Sequence, residues 1–189
     1  MKGLQPCLRL LVLLTVVTGF FYPLLLVLIG TVIMPHRSQG SFIIEEHSNL
    51  GSELIGQRFS NSRYFWSRPS AIDYNPLLAR GSYLSPTSAL LKEQVEARKS
   101  ELSASNKIKQ DFPLDLLFSS GSGIDPHISV EAALYQLPRV AQARQLDENQ
   151  LRNTVVSHIE WRFLGFLGEP RINVLVLNRA LDKMGKDHP

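Results

Sequence analysis

Residues 10–34 read LLVLLTVVTGFFYPLLLVLIGTVIM, and this stretch decides the architecture. It holds 25 residues and no charged side chain, where a helix needs roughly 20 to cross the hydrocarbon core of a bilayer. It is long enough to span with some tilt. The buried helix of a soluble domain rarely runs so far without an ionisable group, so a membrane span is the better reading. A cleaved signal peptide would have an apolar core of about 7 to 15 residues ending in a small-x-small site. Ser38-Gln39-Gly40 is a poor version of such a site, and an uncleaved anchor fits better.

On either side of the span the chain is very unequal. Of its 189 residues, those after the first 36 amount to one ordinary domain. The expected organisation is a cytoplasmic segment at 1–9, the transmembrane helix at 10–34, a connection at 35–48, and one compact extracytoplasmic domain at 49–189. The fold class expected is α+β, with helices and strands mixed in that domain. The sidedness rests on Lys2 and Arg9 before the span against Arg37 alone before Glu45 and Glu46, because basic flanks stay in the cytoplasm. All 17 acidic residues follow the span and face 18 Lys and Arg there. A body so nearly neutral lacks the basic footprint of a nucleic-acid binder. The only cysteine, Cys7, precedes the span, so no intramolecular disulfide staples the domain.

Within the span, Thr15, Gly19, Tyr22, Pro23, Leu26 and Gly30 recur at three- and four-residue spacings. Small or notched positions on one face suit contact with another transmembrane helix, although scattered Gly and Thr are common in such helices. Residues 15–20 (TVVTGF) faintly resemble a potassium-filter loop. Lying inside an uninterrupted apolar helix, they carry no such role.

The domain alternates short elements with breaks. Residues 35–48 lack periodicity and read as a connection, and 50–59 (LGSELIGQRF) as a short strand or extended segment. Tyr64, Phe65 and Trp66 precede a Pro-rich run in which a helix interior is forbidden. Ser85-Pro86 opens a helix running to about Ser103, with Leu91, Val95, Leu102 and the stem of Arg98 on one stripe. Residues 113–118 are a short buried strand or turn. Ser129 caps a helix that Pro138 should end or kink, before a second short helix through Ala143. Asp147 and Gln150 have capping-box spacing for a helix to about Trp161 that buries Leu151, Val155 and Ile159. Gly165, Gly168 and Pro170 make the next break. The spacing of Val174, Leu177, Leu181 and Met184 then favours a closing helix from Ile172, although 172–176 reads equally well as the start of a strand.

Most catalytic chemistry is missing from the chain. There is no glycine-rich loop ending in Gly-Lys-Ser/Thr for nucleotide phosphates, and no Asp-Lys-Thr-Gly-Thr run for an acyl phosphate. His36, His47, His127, His158 and His188 are scattered without metal-site spacing. Ser119, Ser120 and Ser122 with Asp125 and His127 are the residue types of a hydrolase triad. Closeness in sequence argues little for one, since a triad is defined by geometry. A turn is the plainer reading, with Gly121 and Gly123 relieving strain. Gln136, Pro138 and Arg139 present an amide and a guanidinium beside a proline kink, which together could donate to a carbonyl, a carboxylate or a phosphate.

Read as a set, these residues resemble one family, the C subunit of the Kdp potassium-transporting P-type ATPase. The resemblance rests on Gly51-Ser52 with residues 54–57 (LIGQ), on Tyr64-Phe65, and on Arg68-Pro69-Ser70-Ala71. It continues through residues 120–129 (SGSGIDPHIS), Ala132-Ala133, 136–141 (QLPRVA), 164–175 (LGFLGEPRINVL) and Leu177-Asn178, and so covers the whole chain. One departure is residues 80–86, RGSYLSP, where the family reads Gly-Gly-Ser-Asn-Leu-Gly-Pro, so Tyr83 and Ser85 replace the usual Asn and Gly.

The resemblance implies an accessory subunit, without catalysis or cofactor of its own, in the inner membrane. Its partners would be the bilayer, a potassium-conducting subunit, and a P-type subunit that hydrolyses ATP. ATP and potassium would be handled by the complex. It also implies a catalytic chaperone that raises the pump subunit's affinity for ATP, with Gln136 among the residues suspected. A domain outside the membrane cannot touch cytoplasmic ATP, so that effect would pass through the membrane subunits as a coupling free energy. Two alternatives remain: an anchored serine hydrolase using Ser120 or Ser122 with His127, and an autonomous extracellular binding module.

Overall fold

The structure, a computed structural model, describes residues 3–45, 48–106 and 111–186. His47 and His188 lie outside the described residues. The chain divides into two compact units, Met1–Ser52 and Glu53–Pro189. Helix and sheet are mixed, with a single N-terminal apolar helix long enough to cross a membrane among the described residues.

That helix runs Leu4–Ile33 and begins six residues before the apolar stretch does. Helical hydrogen bonding does not stop where hydrophobicity stops, so Arg9 lies inside it. It is not uniform. Helix α1 (Leu4–Val16) and helix α2 (Tyr22–Ile33) are joined by a π-helical segment, Val17–Phe21. The cause is Pro23, which has no N–H to give to Gly19 and whose ring crowds that carbonyl. One wider turn absorbs the misfit, and the Tyr22 N–H reaches back five residues to Val17. The hydroxyl of Thr18 donates to the Leu14 carbonyl at 2.7 Å, and that of Thr31 to Val27 at 3.0 Å. Both are satisfied inside the helix, as an apolar surrounding requires.

The connection is more ordered than its composition suggests. A single helical turn, α3 (Pro35–Ser38), leads into an antiparallel hairpin of β1 (Phe42–Glu45) and β2 (Ser48–Ser52). Sequence periodicity misses it because a register irregularity between Ile43 and Ile44 breaks the two-residue alternation.

In the second unit, α4 (Ala89–Asn106) starts later than Ser85-Pro86 suggests. Ser85 instead closes a turn, its carbonyl accepting from Ser88, and Ser88 accepts the first helical bond from Lys92. Tyr83 sits at φ +54°, a left-handed conformation that Asn tolerates better. Residues 113–118 form one helical turn, α5 (Leu114–Leu117), that buries Leu116 and Leu117.

Strand β3 (His127–Ser129), strand β4 (Ile159–Glu160) and strand β5 (Arg171–Asn173) make a small antiparallel sheet in the order β3-β5-β4. Ile128 and Ile159 both pair with Ile172 at its centre. Helix α6 (Val130–Arg144) crosses the core without a break at Pro138. An interior proline costs about 3 kcal/mol. Eight of the fifteen residues of α6 are buried, Leu137 and Val140 completely, and large apolar side chains contribute about 1.5–3 kcal/mol each. Packing therefore wins over the kink.

Ser129 caps α6 through the Ala132 N–H, as expected, and Asp147 caps helix α7 (Glu148–Ser157) through Gln150. Helix α7 stops at Ser157, short of Trp161, because Ile159 and Glu160 are drawn into the sheet. Residues 171–173 are strand, and helix α8 (Val174–Lys186) follows directly. Asn173 makes the switch, its side-chain oxygen accepting from the N–H groups of Leu175 and Val176. The core gathers Phe65, Leu102, Leu137, Leu151, Val155, Leu177 and Leu181 around α6.

Candidate functional site

The conspicuous polar feature of the domain is an extended segment held by side chains instead of by a neighbouring strand. Phe65 donates its N–H to the Asn178 side-chain oxygen at 2.8 Å and accepts from the Asn178 amide at 2.9 Å. The next residue, Trp66, does the same with Gln136, at 2.7 Å to the N–H and 3.2 Å to the carbonyl. Two amides, one from α8 and one from α6, thus imitate the two sides of a β-ladder. Buried backbone must find such partners.

Arg139, one helical turn from Gln136, completes the arrangement. It donates to the carbonyls of Ser62 at 2.7 Å and Tyr64 at 3.1 Å, to Asn106 at 3.2 Å, and to the Gln136 oxygen at 2.8 Å. Its guanidinium lies 4.1 Å from the centre of the Trp66 ring, a cation–π distance. Burial pushes its pKa down to about 10, so it is charged at neutral pH. Gln136 is 0% and Arg139 4% exposed. The hydrogen-bonding groups of Gln136 and Arg139 are spent inside the domain, on the backbone of Ser62, Tyr64, Trp66 and Ala132 and on the Asn106 side chain and each other. Pro138 lies between them on α6.

The loop before β3 is shaped by close approaches. Ser120 is buried, its hydroxyl accepts from the Gly123 N–H at 2.9 Å, and its own N–H reaches Pro69. Gly123 has φ +73°, and a methyl group there would meet the Arg80 carbonyl at 2.8 Å. Gly121 has open space around it. The Ser122 hydroxyl accepts from Ile124. Neither Ser120 nor Ser122 is hydrogen-bonded to His127 among the described residues, so the triad residues are not brought into triad geometry.

His127 instead sits in a row of polar side chains that leads onto the sheet. Arg68 is 3.2 Å from Asp125, Asp125 is 3.6 Å from one ring nitrogen of His127, and Glu160 is 3.5 Å from the other. Glu160 is in turn 3.0 Å from Arg171. Burial alone would raise the carboxyl of Asp125, but His127, by side chain and backbone, and Arg68 outweigh it and hold the group below its usual range. Sequence reasoning linked Asp125 and His127 but missed Glu160, since only the pairing of β4 with β5 brings it alongside. It missed Trp66 and Asn178 as partners for the same reason, their separation along the chain.

In the long apolar helix, Gly19 lies in the π segment, with Thr15 before it and Tyr22, Pro23 and Leu26 after it. All of these are exposed on the chain, and a side chain on Gly19 would meet nothing within 4 Å.

A family model described as "KdpC: K+-transporting ATPase, c chain" matches residues 4–183. The potassium-transporting ATPase KdpC subunit of Sorangium cellulosum is 47% identical over 183 residues, covering 95% of this chain and 96% of that protein. That of Rhodopseudomonas palustris is 44% identical over 196 residues, covering 96% and 97%. That of Methylobacterium nodulans is 42% identical over 198 residues, covering 97% and 98%. Similarity at this level runs through the apolar helix and the amide-held domain alike, and the chain belongs to the KdpC family, the c chains of K+-transporting ATPases.

Proposed function

We propose that this chain is the accessory, non-catalytic subunit of an ATP-driven potassium uptake complex of the inner membrane. Its helix crosses the membrane once, with residues 1–9 in the cytoplasm. The domain, from about residue 49 onward, is extracytoplasmic. The helix docks on a neighbouring subunit through the face of Thr15, Gly19, Tyr22, Pro23 and Leu26. The domain meets the potassium-conducting subunit and stabilises the assembly, while the P-type subunit handles ATP. Any rise in the pump's affinity for ATP is indirect, carried through the membrane subunits as a coupling free energy.

The observation that carries the indirect reading is the burial of Gln136 and Arg139, with their donors committed to Ser62, Tyr64, Trp66 and Asn106. A phosphate could reach them only by dismantling the core. To test this, the complex is purified with and without this chain, and ATP hydrolysis is followed against ATP concentration. Loss of the chain should raise the ATP concentration at half-maximal rate, while ATP titrated onto the chain alone should give no binding. Saturable ATP binding by the chain alone, abolished by Gln136→Ala with the fold intact, would contradict the indirect route.

A further inference from the structure

Between β4 and β5 the chain leaves the sheet as a loop whose tip is almost entirely apolar and almost entirely uncovered. Trp161, Phe163, Leu164, Phe166 and Leu167 are between 59% and 73% exposed. At these exposures the three rings alone offer roughly 300–500 Å², taking 150–250 Å² per ring. That is as large as the largest apolar patch on a typical monomer, which is often functional. It is also more than a third of the roughly 800 Å² that one side of a stable interface buries.

The backbone of the tip is hydrogen-bonded to itself. Phe163 and Leu167 bridge across it, and Gly165 and Phe166 donate to the carbonyls of Arg162 and Phe163. Its backbone therefore needs little from water. Leu164 is held at φ +53°, where Gly or Asn would be less strained. The fold keeps an apolar side chain there at a conformational cost.

The charges around the tip select the occupant. Arg162 is 2.7 Å from Glu169, and Arg171 is 3.0 Å from Glu160. A loop that lies in a bilayer surface uses unpaired Lys and Arg against anionic headgroups. Here each arginine is neutralised, and the Glu169 side chain is 81% exposed beside the tip. An aromatic and aliphatic centre inside a neutral polar rim is the anatomy of a protein–protein hot spot.

We propose that this loop inserts into an uncharged apolar pocket on another subunit of the potassium-transporting complex. The inference rests on the subunit reading above and adds to it the element that docks. The test places a photoreactive benzoylphenylalanine at Phe166 in the full chain within its native membranes, with the same label at Leu77, 90% exposed, as control. Mass spectrometry should find the adduct from position 166 on apolar residues of another subunit, and none from position 77. Leu164→Asp should cut that adduct by about tenfold or more, with the thermal unfolding midpoint of the chain, read by circular dichroism, unchanged. Adducts confined to lipid or to a second copy of this chain would overturn the inference. So would their absence while the unlabelled chain still co-purifies with the complex. Failure of the unlabelled chain to co-purify would overturn the subunit reading, and the docking loop with it.

Discussion

Gln136 and Asn178 each serve one peptide unit of the segment that carries Phe65 and Trp66. Replacing Gln136 with Leu keeps the volume but strands the N–H and carbonyl of Trp66 and removes an acceptor from Arg139. Each unsatisfied buried group costs about 1–3 kcal/mol, so with two stranded the variant should lose about 2–6 kcal/mol. Urea unfolding of the full chain in detergent, read by Trp66 and Trp161 fluorescence, measures this as a lower midpoint with unchanged slope. Asp125 gives a pH-dependent counterpart. Its carboxyl is held below the usual range by His127 and Arg68, against the opposing effect of burial. A lowered folded-state pKa means stability that is present above the unfolded value, about 3.9, and lost as pH falls through the folded one. Stability should therefore drop below about pH 4, and Asp125→Asn should flatten that acid limb. A limb identical in the variant would show that Asp125 is not its source.

Among the elements, the loop before β3 separates two glycines of different necessity. Gly123→Ala forces a left-handed residue against the Arg80 carbonyl and should cost about 2 kcal/mol or more. Gly121→Ala has open space and should stay within about 0.5 kcal/mol. Thermal unfolding of the two variants side by side checks the contrast. The same local chemistry explains what could be read without coordinates. The caps at Ser129 and Asp147 were legible because each acts within three residues of itself. The continuity of α6 through Pro138 was not, since it depends on what the helix buries. The late start of α4 turns on a competing turn at Ser85, and the strand at 171–173 on pairing with β3 and β4. Of the site, Gln136 and Arg139 stood out by residue type, but their partners at 62–66 are about seventy residues away. An apolar helix was evident from composition alone. Its π segment follows from Pro23, which lacks the N–H that the Gly19 carbonyl would accept in a regular helix.

At the scale of the whole molecule, the proposed subunit is one membrane-spanning helix carrying a non-catalytic domain. Gly19 tests whether the helix is a contact or merely a tether. The isolated chain has room for Gly19→Leu, so insertion and folding should survive. Retention in the detergent-solubilised complex should nevertheless fall by about tenfold, equivalent to roughly 1.4 kcal/mol. Unchanged retention would make the helix a simple tether. Sidedness is the larger matter, because it decides whether ATP can ever meet the domain. With Cys7 replaced by Ser and Leu77, 90% exposed, replaced by Cys, intact cells are treated with a membrane-impermeant maleimide. An extracytoplasmic domain should label fully from outside without lysis; labelling that appears only after the cells are broken would place the domain in the cytoplasm and contradict the proposed topology.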